Sequence, residues 1–94
     1  HLCLVQFRGE DMAAVDEASQ QLAAALKPEL PPGGEIFGPM PAPVHRVRGQ
    51  FRHQMLLRGG NILDMTRLLR RKVVGVKPPK GVEIHLDIDP QSMF

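Results

Sequence analysis

The stretch QFRHQMLLRGGNILDMTRLL, residues 50–69, contains the change of hydrophobic period that decides the fold. Along Gln50–Arg58 apolar and polar side chains alternate, which is typical of a β-strand with one buried face. After Gly59 and Gly60 the apolar residues recur at spacings of three and four, which indicates an amphipathic helix, and Asn61 is suited to cap it. This stretch therefore predicts a strand followed directly by a helix.

The same order occurs at the beginning of the chain. Residues 2–8 alternate and predict a strand, and the apolar stripe after Asp11 predicts a helix that ends at Pro28. Residues 82–89 alternate between aliphatic and charged side chains and predict another strand. Residues 35–38 form a short strand candidate. The three prolines that follow predict an extended segment at a sheet edge or in a loop, because proline lacks a backbone donor.

Strand, helix, strand, strand, helix and strand in this order predict an α+β fold. The expected architecture is a two-layer βαββαβ sandwich, with a four-stranded antiparallel sheet and two helices on one face. In the usual strand order of this motif the first and third strands are central, and Arg8, Arg52 and Arg58 then point to the open face. The length of 94 residues predicts a single domain, residues 1–94, with no room for a two-lobed enzyme.

The composition excludes several classes of protein. Hydrophobic residues make up 43% and charged residues 23% of the chain, which are ordinary globular values. No apolar run approaches the roughly 20 residues that a membrane-spanning helix needs, so no membrane partner is expected. The single cysteine, Cys3, excludes an intramolecular disulfide and favours a reducing compartment, and we interpret it as a core residue. The first residue is not Met, which suggests a domain of a longer protein.

Charge is distributed unevenly along the sequence. Residues 45–81 carry ten bases against Asp64 alone, a net +9, whereas residues 1–44 carry two bases against six acids, a net −4. A block of this kind indicates a surface that binds a polyanion such as nucleic acid, and the alternative is a solvated basic face balanced by an acidic one. The predicted DNA contacts are Arg46, Arg48, Arg52, Arg58, Arg67, Arg70 and Arg71.

Catalytic and metal-binding motifs are missing from the sequence. There is no glycine-rich nucleotide-binding motif, and one cysteine rules out zinc held by paired CxxC motifs. His85, Asp87 and Asp89 share one face of the last predicted strand, but same-face neighbours there stand roughly 6.5 to 7 Å apart and converge poorly on one ion. We interpret His53 as a histidine of the core or its rim. We therefore expect no catalytic residue and no metal ligand in this chain.

Two motifs resemble a known family. Residues 36–43, IFGPMPAP, lead through Arg46 and Gly49 into residues 51–57, FRHQMLL, and this run resembles the C-terminal domain of the PriA family of primosomal replication-restart proteins. The closing residues 86–92, LDIDPQS, resemble the acidic DxDPxS ending of the same family. His53 stands where the family often has a second aromatic residue, which argues against base stacking at that position.

The resemblance implies a fold similar to that of a small ribosomal-subunit protein and a role as a DNA-binding accessory domain. The parent family resembles ATP-dependent 3′ to 5′ DNA helicases, and its ATP, magnesium and structural zinc sites lie outside this domain, so no cofactor is expected in this chain. The implied partners are single-stranded or branched fork DNA, the remaining domains of PriA, single-strand-binding protein and other primosome components. The implied location is the bacterial cytoplasm, at the nucleoid.

A second interpretation fits the same residues. The basic surface would then be a protein-interaction module that docks an acidic partner, such as the tail of single-strand-binding protein or another PriA domain. Titrations with a DNA oligomer and with an acidic peptide distinguish the two interpretations. Tight peptide binding with negligible DNA binding favours the protein-interaction module.

Overall fold

The computed structural model describes residues 2–75 and 79–88, and the side chains of all of these except residues 43–47. The predicted α+β order is confirmed. The elements are β1 (Leu2–Gly9), α1 (Met12–Leu26), a 3₁₀ turn (Lys27–Glu29), β2 (Glu35–Val47), β3 (Gln50–Arg58), α2 (Ile62–Gly75) and β4 (Glu83–Ile88).

The four strands form one antiparallel sheet in the order β2-β3-β1-β4, so β1 and β3 are central as predicted. Phe7 lies opposite His53 on one side and opposite Ile84 on the other. Arg8 lies between Arg52 and Glu83. Directly opposed residues share a sheet face, so this register fixes which side chains meet on the open face.

The hydrophobic core occupies one face of the sheet. Val5 and Phe7 of β1 are fully buried, and they belong to the same cluster of buried residues as Leu22 of α1 and Met65 of α2. Both helices therefore cover this face, because side chains on opposite faces of a sheet cannot join one core. Cys3 is buried in the same cluster, as predicted.

Polar side chains begin both helices, and this confirms the predicted caps. The Ala13 amide donates to Asp11 Oδ1 at 3.0 Å. The amides of Leu63 and Asp64 donate to Asn61 Oδ1 at 2.9 and 3.3 Å. A side-chain oxygen at this position accepts from amides that have no partner within the helix, so these residues set where α1 and α2 begin.

The proline-rich segment lies in β2, at one edge of the sheet, where proline is tolerated. The strand prediction for residues 35–38 was too short, because β2 continues to Val47. Its pairing with β3 shifts register between Phe37 and Met40 and again between Pro41 and Arg46. Regular pairing with β3 is interrupted at these irregularities. The prolines, which have no amide N–H to donate, are therefore accommodated while the chain stays extended.

No helix within residues 2–75 and 79–88 is long and apolar enough to cross a membrane.

Candidate nucleic-acid interface

The fold places the seven predicted arginines in both of its layers. Arg52 and Arg58 lie on β3 and face away from the core, as predicted, because the alternating neighbours His53, Met55 and Leu57 are buried. Arg48 lies in the turn between β2 and β3 and is exposed. Arg46 pairs with Phe51 in the backbone register of β2 and β3, and its side chain lies outside the described part. The other three, Arg67, Arg70 and Arg71, are on α2.

Three arginines meet at one end of the open face, and we call Arg8, Arg48 and Arg52 the arginine cluster. Arg8 and Arg52 are directly opposite each other on β1 and β3. Together with Arg48 and Gln50 they line a shallow cavity of about 380 Å³. Cross-strand neighbours of this kind have Cβ atoms roughly 5 Å apart, so two positive charges are held side by side.

The cluster has no acidic partner within the described residues. Glu83 lies opposite Arg8 on β4, but its Oε2 is 3.1 Å from His85 Nε2. The Nε atoms of Arg8 and Arg52 are buried and have no hydrogen-bond partner in the part of the chain that the structure describes. Two guanidinium groups thus present unused donors next to an open cavity.

A different group occupies the other end of the open face. Arg58 lies six residues further along β3 than Arg52, a distance of roughly 20 Å in an extended strand. Arg58 Nη2 is 3.6 Å from Glu35 Oε1, and Arg58 Cζ is 4.9 Å from the centre of the Phe37 ring. The charge of Arg58 is therefore partly balanced, and Phe37 remains 37% exposed beside it.

Uncharged side chains separate the two ends. Gln54 lies between Gln6 and Met40 in the register, and Met40 is 43% exposed. Leu56 lies between Leu4 and Phe37 in the next row. Across β2, β3 and β1 the open face therefore has a basic end, an uncharged middle and an end where an aromatic ring stands beside an arginine. The acids Glu83 and Asp87 of β4 are exposed along the edge of this face.

The α2 arginines are exposed on the helical layer, as predicted for Arg67, Arg70 and Arg71. Arg71 Nη2 is 3.1 Å from Glu29 Oε1, and Lys72 also binds this carboxylate. The hydrogen bond from Lys72, assisted by the charges of Lys72 and Arg71, lowers the pKa of Glu29 below its usual value. Glu29 thus neutralises part of the α2 surface.

Comparison with known proteins places the chain in a family. The model of the primosomal protein N C-terminal domain matches residues 1–91. The chain belongs to this family. It is similar to the replication restart protein PriA of Treponema pallidum (29% identical over 88 residues, 94% of this chain and 13% of that protein) and of Haemophilus influenzae (30% over 93 residues, 98% and 12%). It is also similar to a "Probable replication restart protein PriA" of Deinococcus radiodurans (37% over 90 residues, 94% and 9%).

The chain thus spans only 9 to 13% of the length of these relatives. The match is to the C-terminal PriA domain, so no catalytic helicase domain lies in this chain. This agrees with the sequence, which contains no nucleotide-binding motif.

Solved structures support the architecture of this PriA C-terminal domain. The de novo designed protein Foldit4 superposes with a TM-score of 0.69 at 15% identity, over 92% of this chain and 91% of that one. A hydantoinase/carbamoylase family amidase from Burkholderia ambifaria gives a TM-score of 0.55 at 18% identity, over 92% of this chain and 26% of that one. At such low identity these likenesses show the fold alone.

Two side chains of the open face of this PriA C-terminal domain were not among the predicted contacts. Arg8 comes from the acidic first third of the sequence, and only the pairing of β1 with β3 brings it to Arg52. Phe37 follows the half-buried Ile36, so alternation within residues 35–38 is the signal that places it on the open face. Phe51 lies on the same face of β3 as the buried His53 and Met55 and is only partly exposed.

His85 and the acids of β4 do not form a metal site in the described residues. Glu83, His85 and Asp87 are exposed on the open face, and Asp89 lies outside the described part. No group of three metal-ligating side chains occurs among the described residues. His53 is buried, as expected for a core or rim histidine, with Nε2 3.7 Å from Asp16 Oδ1.

Proposed function

We propose that this chain is the DNA-binding accessory domain of a PriA-like replication-restart protein, and that it holds single-stranded or branched fork DNA on its open sheet face. The observation that carries the proposal is the arginine cluster, where Arg8, Arg48 and Arg52 converge without an acidic partner among the described residues. A guanidinium group binds the oxygens of a phosphate group through two parallel hydrogen bonds.

The rest of the open face fits a strand of nucleic acid that is held by its backbone. The RNA recognition motif also uses a four-stranded sheet, whose aromatic side chains stack two or three bases. Here the central strands carry Gln6, Arg8, Arg52 and Gln54 instead, and only Phe37 is a half-exposed ring on this face of the described residues. Binding should therefore depend on phosphate contacts, fall steeply with salt and show little sequence preference.

The family match supports a proposal about the parent protein. We propose that residues 1–94 form a single C-terminal domain of an ATP-dependent 3′ to 5′ helicase whose ATP, magnesium and structural zinc sites lie in other domains. Its partners would be those other domains, single-strand-binding protein and further primosome components. The corresponding location is the bacterial cytoplasm, at the nucleoid.

Fluorescence anisotropy with labelled single-stranded and forked DNA tests the DNA-binding proposal. The double variant Arg48→Gln/Arg52→Gln should weaken binding about tenfold or more, because each charged hydrogen bond to phosphate contributes roughly 1.5–3 kcal/mol. The double variant Arg67→Gln/Arg70→Gln removes the same charge from α2 and should weaken binding less. No binding by the parent chain at low salt, or equal losses in both variants, would contradict binding on the open face.

One observation favours a second function on the helical layer, namely docking of an acidic protein partner. Arg71 and Lys72 already bind the carboxylate of Glu29, beside a groove of about 380 Å³ that includes Arg67 and Leu68. A carboxylate of a partner would find the same donors there. An acidic peptide should then bind the Arg48→Gln/Arg52→Gln variant as well as the parent chain and bind an Arg67→Gln/Arg71→Gln variant, which removes two arginines of this groove, more weakly.

A further inference from the structure

The geometry points to a discrete phosphate site: Arg8, Arg48 and Arg52 together bind one phosphate group of a nucleic-acid strand. This inference rests on the proposed function and assigns a particular ligand to one end of the open face. It differs from general attraction to a basic surface, because it requires specific donors around a single tetrahedral anion.

The first argument is that Arg8 and Arg52 repel each other in the free protein. Like charges directly opposite each other on neighbouring strands are destabilising, and Arg8 and Arg52 occupy such a pair. On its other side Arg8 lies opposite Glu83, but the two side chains form no ion pair, and Glu83 Oε2 lies 3.1 Å from His85 Nε2. An anion between the two guanidinium groups would remove this repulsion, so the cluster has a built-in preference for a negatively charged ligand.

The second argument comes from the buried donors. The Nε atoms of Arg8 and Arg52 are inaccessible to solvent and have no partner among the described residues, and an unsatisfied buried donor is costly. Both arginines line the same cavity with Arg48 and Gln50. A small rearrangement of the guanidinium groups around an anion in this cavity would give their N–H groups the acceptors that they lack.

The third argument concerns the kind of anion. A carboxylate has two oxygens in one plane and is matched by the fork of a single arginine. Three guanidinium groups from different parts of the chain line one cavity, and the oxygens around a tetrahedral phosphorus accept hydrogen bonds from several directions. The cluster therefore fits a phosphate better than the carboxylate of an acidic peptide.

Titration of the ¹⁵N-labelled chain with inorganic phosphate, followed through the arginine Nε–H resonances, tests the site. We expect saturable shifts of the Arg8, Arg48 and Arg52 signals, and a weaker response to acetate at equal ionic strength. Arg8→Gln should weaken phosphate binding about tenfold or more, as expected for losing charged hydrogen bonds. Lys27→Gln removes one charge on the exposed 3₁₀ turn and should leave phosphate binding unchanged. Amide spectra of each variant verify folding.

A conservative variant separates the donors from the charge. Arg52→Lys keeps the positive charge but removes the Nε donor and the planar fork. It should lose phosphate binding nearly as fully as Arg52→Gln. If Arg52→Lys binds phosphate as well as the parent chain, or if the shifts do not saturate and are equal for Arg8 and Lys27 variants, the site is overturned in favour of nonspecific attraction.

Two further ligands identify the source of the phosphate and separate this inference from the proposed function. A dinucleoside monophosphate supplies only an internal phosphodiester, and a 5′-phosphorylated dinucleotide adds a terminal phosphate. Binding of the first supports a site for the strand interior, whereas binding of the second alone supports a site for a strand end. Phosphate binding without DNA binding would refute the proposed function and keep the site, and DNA binding unaffected by Arg8→Gln would refute the site and keep the function.

Discussion

Gly59 is the residue at which the backbone tolerates least change. Its φ is +82°, and a Cβ atom built there would overlap the carbonyl oxygen of Gly33. This close approach joins the loop before β2 to the turn between β3 and α2. Gly59→Ala should therefore lower the free energy of unfolding by about 2 kcal/mol or more, since it adds left-handed strain to a backbone clash. Urea denaturation measures the loss.

Two other glycines are matched controls for this substitution. Gly49 also has a positive φ, +78°, but a Cβ there would have nothing within 4 Å, so Gly49→Ala should cost only the conformational strain of about 1–2 kcal/mol. Gly75 has neither a close neighbour nor a positive φ, and Gly75→Ala should leave stability nearly unchanged. Equal losses at Gly59 and Gly49 would contradict the steric argument.

At the scale of elements, the beginning of α2 depends on Asn61, the capping residue directly before the helix. Asn61 Oδ1 accepts hydrogen bonds from the amides of Leu63 and Asp64, which have no carbonyl partner within the helix. Asn61→Ala should lower the free energy of unfolding by about 1 kcal/mol. Asn61→Asp keeps an acceptor at the same place and should retain most of the stability. A thermal unfolding comparison in which both variants lose equally would show that the hydrogen bonds do not matter.

The contact between the 3₁₀ turn and α2 predicts a dependence on pH. Because Lys72 and Arg71 lower the pKa of Glu29, the folded state favours the ionised carboxylate. This contribution to stability is fully present above the ordinary pKa of 4.5 and is lost as the pH falls through the lower value of the folded state. Glu29→Gln should therefore reduce the melting temperature at neutral pH, and the difference from the parent chain should shrink in acid.

The effect of Glu29→Gln should be small, because the pair is exposed to solvent and screened by salt. Glu10→Gln is a suitable control, since Glu10 is exposed and has no ion pair within the described residues. The difference in melting temperature between Glu10→Gln and the parent chain should not shrink as the pH falls. The test is the melting temperature of both variants and the parent chain, measured between neutral and acidic pH. A difference between Glu29→Gln and the parent chain that stays constant with pH would contradict the role of this carboxylate.

The elements themselves were largely predictable from local signals. Alternation in residues 2–8 and 50–58 and the cap residues Asp11 and Asn61 predicted β1, β3 and the beginnings of both helices. The extent of β2 was not predictable in this way. Proline at positions 39, 41 and 43 argues against a strand, and only an edge position with two register shifts lets β2 continue through them.

At the scale of the whole molecule, the charge block in the sequence is not a surface in the structure. The basic residues that the structure describes on β3 and α2 are divided between the open face of the sheet and the helical layer, because β3 and α2 lie on opposite sides of the same core. The residue that completes the arginine cluster, Arg8, belongs to the acidic part of the chain. Composition thus predicted a basic surface, and strand register was needed to find where its charges converge.

The salt dependence of DNA binding tests this division of charge. For single-stranded DNA the slope of log K against log salt concentration is about −0.7 per phosphate contact. The triple variant Arg8→Gln/Arg48→Gln/Arg52→Gln removes the contacts to the one phosphate group that the cluster is inferred to bind, and it should therefore flatten the slope by about 0.7. The triple variant Arg67→Gln/Arg70→Gln/Arg71→Gln changes the net charge equally but acts on the helical layer, where Arg71 is already bound to Glu29.

A flatter slope only in the open-face variant would mean that the arginine cluster displaces counterions from the phosphates it touches. Equal flattening in both variants would mean that DNA contacts the two layers alike, and binding would then not be confined to the sheet. A loss of affinity with no change of slope in the open-face variant would also contradict phosphate contacts there, since the released counterions determine the slope and not the field of the whole protein. Anisotropy titrations at four or more salt concentrations, with both triple variants verified as folded, distinguish these results.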